Sequence, residues 1–388
     1  MELLKNLNFC YYIDMRTRAI IHLDRFIRNI NIIKARIGQN RHICVPVKAD
    51  AYGHGALEIA KTSLEAGAFS LGVATLTEGI NLRKGGINAP ILLFNQPHPD
   101  EIPEIITFNL TPFISDIWCV DVLSKQAAAE RKRLPVHIKI DTGMGRLGCR
   151  TEEALSLAKH ITACPGLELA GIATHFAVSD SADTEDIIYT KRQIEQFMET
   201  INTIKDAGID PGLIHAANSG GVILHTDSWF DMVRPGILLY GYKTVEENEI
   251  SSQYEPIQVE PVMEFKTIVP LIKKVKKGES VSYGRTWTAS QDTLIGILPA
   301  GYADGLPLFA SGKWQVVING KTYPLAGRVC MDMCIADLGP DSTVRRWDEA
   351  VIFGGSAPDA AELARRIGTI PYEITCNINN RVPRVYVQ

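Results

Sequence analysis

The sequence predicts an α/β protein, an N-terminal (β/α)8 barrel of the TIM type followed by a mostly-β C-terminal domain. Three observations predict it. The chain has 388 residues, which at ~150 per domain gives two or three domains. Between residues 42 and 241, eight short apolar runs alternate with longer amphipathic stretches. After residue 255 the helical periodicity fades and turn-bounded strand patterns replace it.

Thr17–Leu23 reads as a leading strand, with the helix Arg25–Arg36 behind it. The eight runs are His42–Lys48, Phe69–Ala74, Pro90–Phe94, Leu110–Ile114, Pro135–Asp141, Leu169–His175, Leu213–Asn218 and Met232–Tyr240. Ala56–Ala66 and Ile187–Ile204, lying between runs, carry apolar residues three or four apart. Continuous apolar strands joined by helices make a parallel sheet under a helical cover. Eight such units suit a closed barrel, and a doubly wound open sheet is the alternative. Farther on, Val262–Ile272, Ser280–Tyr283, Thr293–Leu298, Trp314–Ile318, Tyr323–Arg328 and Met333–Leu338 read as strands. Asn319-Gly320 marks a hairpin turn, and Ala360–Ile367 is the one convincing helix. The expected organisation is an extension over residues 1–14, a barrel over 15–250 and a β domain over 251–388.

Composition narrows the function. Lys plus Arg number 40 and Asp plus Glu 44, a net charge of −4. Such a balance favours neither a nucleic-acid nor an anionic-membrane partner. No apolar stretch approaches the ~18 residues of a membrane span. The start, Met1-Glu2-Leu3-Leu4-Lys5, does not read as a signal peptide. The eight cysteines are scattered, as expected of reduced thiols in the cytoplasm. Cys330 and Cys334 have no second Cys/His pair nearby, so no metal site is predicted.

In a parallel barrel, chemistry gathers where strands end. The first run ends in Lys48 before the Gly-rich turn Tyr52-Gly53-His54-Gly55. A lone lysine is ordinarily a solvated surface charge. At the mouth of an apolar strand it can instead lose its proton and bond an aldehyde. Ser219-Gly220-Gly221, after the seventh run, lets backbone N–H groups approach a phosphate, where barrels commonly hold one. Lysine and phosphate cup on one rim suggest pyridoxal phosphate. Gly143-Met144-Gly145-Arg146-Leu147-Gly148 also matches the dinucleotide fingerprint. The next run, however, ends in His175 rather than an acid, which disfavours a nicotinamide oxidoreductase. These glycines are expected to let a loop carry Arg146 inward.

Val47-Lys48-Ala49-Asp50-Ala51-Tyr52-Gly53-His54-Gly55 resembles the pyridoxal-phosphate signature of bacterial alanine racemases. The resemblance continues through Lys139-Ile140-Asp141-Thr142-Gly143-Met144-Gly145-Arg146, Thr174-His175-Phe176-Ala177, Ala217-Asn218-Ser219 and Val233-Arg234-Pro235-Gly236. Beyond the barrel it takes in Val281-Ser282-Tyr283-Gly284, Gly301-Tyr302-Ala303-Asp304-Gly305, Gly327-Arg328-Val329-Cys330-Met331-Asp332 and Arg381-Val382-Pro383-Arg384. It runs from about residue 17 to the end.

The resemblance implies a head-to-tail homodimer with shared sites, racemising alanine with pyridoxal 5′-phosphate and supplying D-alanine for peptidoglycan. Lys48 would bond the cofactor and serve one face of the substrate α-carbon. Tyr283, from the partner subunit, would serve the other. Arg234 would face the ring nitrogen, with His175 orienting it. A guanidinium hardly releases a proton, which limits side reactions. Tyr52, Asn218, Ser219, Gly236 and Ile237 would hold the phosphate end. Arg146 would contact the cofactor's ring hydroxyl and the substrate carboxylate, and Tyr302 and the Met331 backbone of the partner subunit would complete the carboxylate site, with Asp332 in support. In many relatives a carbamylated lysine stands at Lys139 and orients the arginine at 146. Many also carry tyrosine before Arg-Val-Pro-Arg, where this chain has Asn380. The rivals are a racemase of serine or other small amino acids and a non-catalytic cofactor-binding protein.

Overall fold

The computed structural model describes residues 16–245 and 256–388. The chain divides into two units. Leu23–Val262 form one, and the segment ending at His22 joins Met263–Gln388 in the other.

The first unit is a closed parallel barrel. Its strands are His42–Pro46, Ser70–Val73, Ile91–Leu93, Thr111–Ile114, Leu134–Lys139, Leu167–Ala173, Leu213–His215 and Met232–Val233. The last pairs with the first through His42↔Met232 and Ile43↔Val233. That closure rules out the doubly wound alternative, which would leave two sheet edges unpaired. Ser70–Val73, Ile91–Leu93 and Thr111–Ile114 are buried at every position. Strands covered on both faces read as unbroken apolar runs. Cys44, Leu92, Phe113, Ala173 and Met232 pack together with Phe94 as one internal cluster.

Helix Leu23–Ile37 shows why the connecting helices form. It buries Phe26, Asn29, Ile30, Ile33 and Ile37, one stripe at helical spacing. Asn29 is tolerated there because its amide is satisfied by the carbonyls of Leu239 and Glu260 and by the Glu260 N–H.

The strand Arg18–His22 departs from expectation. It belongs to the β unit, not the barrel. There it pairs antiparallel with Met263–Ile268 and parallel with Arg384–Val387. Its burial alternates, with Ala19 and Ile21 inside. Arg18 pairs with Glu349, and His22 with Glu264. Such a half-polar strand suits a sheet with one wet face, whereas a barrel strand is covered on both. The division therefore falls after His22 rather than at residue 15. The expected extension 1–14 and the boundary at 250 lie outside the described residues.

The β unit holds a six-stranded sheet in the order Lys321–Pro324, Gln315–Ile318, Glu349–Phe353, Met263–Ile268, Arg18–His22, Arg384–Val387. A three-stranded sheet orders Leu271–Val275, Thr293–Leu298 and Cys334–Gly339. Asn319 and Gly320 sit at φ of 50° and 75°, the double left-handed turn that a two-residue hairpin demands. The run Val262–Ile272 divides at Val269-Pro270 into strands of different sheets, because proline donates no ladder hydrogen bond. Strands Trp287–Thr288, Glu349–Phe353 and Arg384–Val387 and helix Pro371–Cys376 add to the elements expected from sequence.

Candidate active site

The barrel strands stop short of the candidate residues. They end at Pro46, Ala173, His215 and Val233, so Lys48, His175, Asn218 and Arg234 stand beyond the strand ends and Ser219 opens the short helix Ser219–Leu224. Lys139 closes its strand.

Behind Lys48 the backbone turns left-handed. Ala49, Asp50, Ala51 and Tyr52 have φ of 51°, 52°, 53° and 54°. Each such L-residue costs about 1–2 kcal/mol, and the surroundings hold the turn closed. The Gly53 N–H donates to the Ala49 carbonyl at 2.9 Å. The Ala56 N–H donates to Asp50 Oδ1 at 2.8 Å. Glu78 accepts from the Ala49 N–H at 2.7 Å and from the Ala74 and Thr75 N–H groups. One carboxylate thus caps its own helix and pins the strained turn after Lys48. Strain held in this way marks functional positions.

An anion cup lies across the same rim. Ser219 Oγ accepts from the Gly236 N–H at 2.9 Å and the Leu238 N–H at 3.2 Å. Asn218 Oδ1 accepts from the Gly221 N–H and from Ser179 Oγ. A Cβ on Gly236 would stand 2.8 Å from Tyr52 Oη, and one on Gly220 would stand 2.6 Å from the Ser179 carbonyl. The bare backbone keeps this cradle open, which fits a phosphate. Ile237 is fully buried beside it.

The side of the rim around Arg234 is built on a buried guanidinium and buried imidazoles. Arg234 is buried, its Nη1 lies 2.7 Å from His215 Nδ1, and its Nη2 donates to the carbonyls of Thr174 and Ala216. A guanidinium only donates, so His215 Nδ1 accepts and its Nε2–H faces His137 Nδ1 at 2.8 Å. Burial lowers the pKa of His215 well below the ordinary histidine range, and that of His137 to about 3, with Arg234 adding to both. Burial also lowers Arg234 to about 10. The imidazole hydrogen-bonded to Arg234 is therefore His215. The His175 pKa is lowered by burial and then by the charges of Arg234, Lys139, Arg146 and Lys48. Sequence reasoning missed His137 and His215. The signal was His137 two residues before Lys139, because alternate strand residues share a face.

Lys139 is buried, and its Nζ has no hydrogen-bond partner among the described residues. Burial lowers its pKa far below the ordinary amine value, and Arg234 adds to the shift. Arg146 stands exposed on the following loop, not tucked inward. Asp141 Oδ1 accepts from the Gly143 and Gly145 N–H groups and shapes that loop. The loop closes on a bridge between Ile140 and Cys149, and the helical turn that follows begins only at Thr151, past the last glycine, so the dinucleotide motif lacks its structural context.

The remaining candidates sit in the β unit around Cys330. The Cys330 carbonyl accepts from the Tyr302 N–H at 3.0 Å, and the Met331 carbonyl accepts from the Ala303 N–H at 2.9 Å. Ser282 Oγ, one residue before Tyr283, donates to the Arg328 carbonyl and lies 3.5 Å from Cys330 Sγ. Three loops therefore meet, and their side chains face outward, with Tyr283 72% exposed, Met331 53% and Tyr302 45%. Asp332 and Asn380 are exposed in the same unit.

Both halves of the chain match known families. Residues 21–244 match the alanine racemase N-terminal domain, and residues 262–386 match the C-terminal domain. The chain is 48% identical over 377 residues to an alanine racemase of Treponema denticola, covering 96% of this chain and 98% of that one. It is 42% identical to one from Treponema pallidum subsp. pallidum, covering 96% and 99%. Among solved structures, the alanine racemase of Streptomyces lavendulae superposes with a TM-score of 0.88 at 34% identity, covering 96% and 97%. Barrel, β unit and rim together define an isomerase, an amino-acid racemase of two-unit architecture. More narrowly, the chain belongs to the alanine racemase family. Among the described residues no helix is long and apolar enough to cross a membrane.

Proposed function

We propose that this chain interconverts L- and D-alanine using pyridoxal 5′-phosphate, in cytoplasmic homodimers whose sites draw on both subunits, and supplies D-alanine for peptidoglycan. The observation that carries the proposal is the division of the two bases. Lys48 precedes a pinned, strained turn on the barrel rim, while Tyr283 is 72% exposed on the separate β unit. An exposed tyrosine on such a unit suits completion of a partner's site.

Lys48 would bond the cofactor aldehyde. Tyr52, Asn218, Ser219, Gly236 and Ile237 would hold its phosphate, and Arg234 its ring nitrogen. Bound pyridoxal phosphate supplies the electron withdrawal that acidifies the substrate α-hydrogen. Racemisation takes a proton from one side of a carbon and returns one to the other, so it needs two bases. Lys48 Nζ and Tyr283 Oη of the partner subunit fill those roles. Arg234, cationic at neutral pH, donates a hydrogen bond and keeps its proton. Arg146, with Tyr302 and Met331 of the partner subunit, holds the carboxylate. Asp332 supports the Met331 loop. The buried amine of Lys139, its pKa lowered well below the ordinary value by burial, is suited to add CO2, losing one proton to form a carbamate whose negative charge attracts Arg146.

The test is incubation with L-alanine and the cofactor in deuterated water. D-Alanine carrying α-deuterium supports the reading. Exchange without inversion would remove the second base, and the absence of both would sink the proposal.

A further inference from the structure

We propose that Arg381 is a positioning residue that holds the Tyr302 and Met331 loops in register; this rests on the reading that those two loops form the wall for the substrate carboxylate. Arg381 Nε donates to Asp304 Oδ1 at 2.7 Å, and its Nη1 reaches Asp332 Oδ1 at 2.9 Å. Asp304 closes the turn that contains Tyr302. Its Oδ2 accepts from the Gly301 N–H at 2.8 Å, and its own N–H donates to the Gly301 carbonyl. Asp332 directly follows Met331. Backbone bonds from Tyr302 to Cys330 and from Ala303 to Met331 join the two loops at their centre. The guanidinium adds a tie between their acidic ends.

Two physical reasons make this tie matter. The Asp304 side chain is 9% exposed, and a carboxylate that far from water needs a partner charge. The Tyr302 and Met331 side chains are both exposed, so their own packing does not hold them in place. Arg381 is itself anchored, its N–H donating to Asn379 Oδ1 at 3.1 Å, while the Asn379 N–H donates to the Asp304 carbonyl at 3.3 Å. The planar fork presents two N–H edges to two carboxylates, whereas a lysine ammonium is a point charge that would satisfy one.

The experiment compares KM and kcat for alanine in the cofactor-loaded full chain carrying Arg381→Gln, Arg381→Lys, Asp332→Asn or Tyr302→Phe. Arg381→Gln is expected to raise KM about tenfold or more, with kcat within about threefold. Arg381→Lys should recover part of the loss. Asp332→Asn should raise KM less, and its effect should be non-additive with Arg381→Gln. A normal KM in folded Arg381→Gln, or strict additivity with Asp332→Asn, overturns the proposal. If Arg381→Gln does not fold, Asp332→Asn carries the test, and a normal KM there overturns it. Tyr302→Phe separates the two levels. A raised KM there beside a normal KM in Arg381→Gln removes the clamp alone, while a normal KM in Tyr302→Phe removes the carboxylate wall and the clamp with it.

Discussion

Arg234 Nη1 donates to His215 Nδ1 at 2.7 Å inside the barrel, and His215 Nε2–H in turn meets His137 Nδ1 at 2.8 Å. The chain of donors works only while both imidazoles are neutral. A protonated His215 would point an N–H at a guanidinium.

This relay predicts acid sensitivity. The His137 pKa falls from 6.5 to about 3 on folding. Above pH 6.5 the ring is neutral in both states and costs nothing. Below it, the unfolded chain takes up a proton that the folded chain refuses. Stability is therefore lost as pH falls from 6.5 toward about 3, by up to about 1.4 kcal/mol per pH unit for each such histidine. His215 and His175 shift in the same direction. Melting temperature should drop between about pH 7 and about pH 5, and His137→Gln should flatten that slope. An unchanged slope would count against the relay.

Lys48 and Tyr283 are expected to complement each other across subunits. Lys48→Ala should abolish racemisation and the borohydride-reducible link to the cofactor, and Tyr283→Phe should also be nearly inactive. Mixed dimers can hold at most one intact site, so activity should return on mixing. Mixed dimers verified by mass spectrometry yet inactive would refute the shared site. A reducible link at another lysine would refute the assignment of Lys48.

For Lys139, the buried amine without a partner predicts a carbamate. Protein equilibrated with 13C-bicarbonate should show a carbamate carbon signal that Lys139→Arg loses. A spectrum without that signal would mean that the amine stays bare.

Asn380 bears on specificity. It is exposed in the segment between Asn379 and Arg381, at a position where the family resemblance implies a tyrosine. A smaller side chain opens one wall, and size discrimination in such pockets is worth only about 1–3 kcal/mol per methylene-sized change. Serine racemisation should accompany alanine racemisation, and Asn380→Tyr should raise the alanine-to-serine ratio of kcat/KM. A ratio that stays put would show that Asn380 does not shape the pocket.

Much of this was legible before folding. The eight runs gave the barrel, because a strand covered on both faces must be apolar throughout. The motifs around Lys48, Ser219, Arg234 and Tyr283 gave the candidate site, because their chemistry lies in residue type and spacing along the chain. Tertiary structure decided what depends on distant pairing. Arg18–His22 joined the β unit because its alternating burial and its partners Glu264 and Glu349 suit a one-sided sheet, and those partners lie more than two hundred residues away. His215 took Arg234 because a guanidinium bonds whichever acceptor the neighbouring strand brings to 2.7 Å. Arg381 found Asp304 and Asp332 only when three separate loops met. Local sequence carries periodicity and chemistry, while hydrogen-bond partnership between distant residues is set by the packing that brings them together.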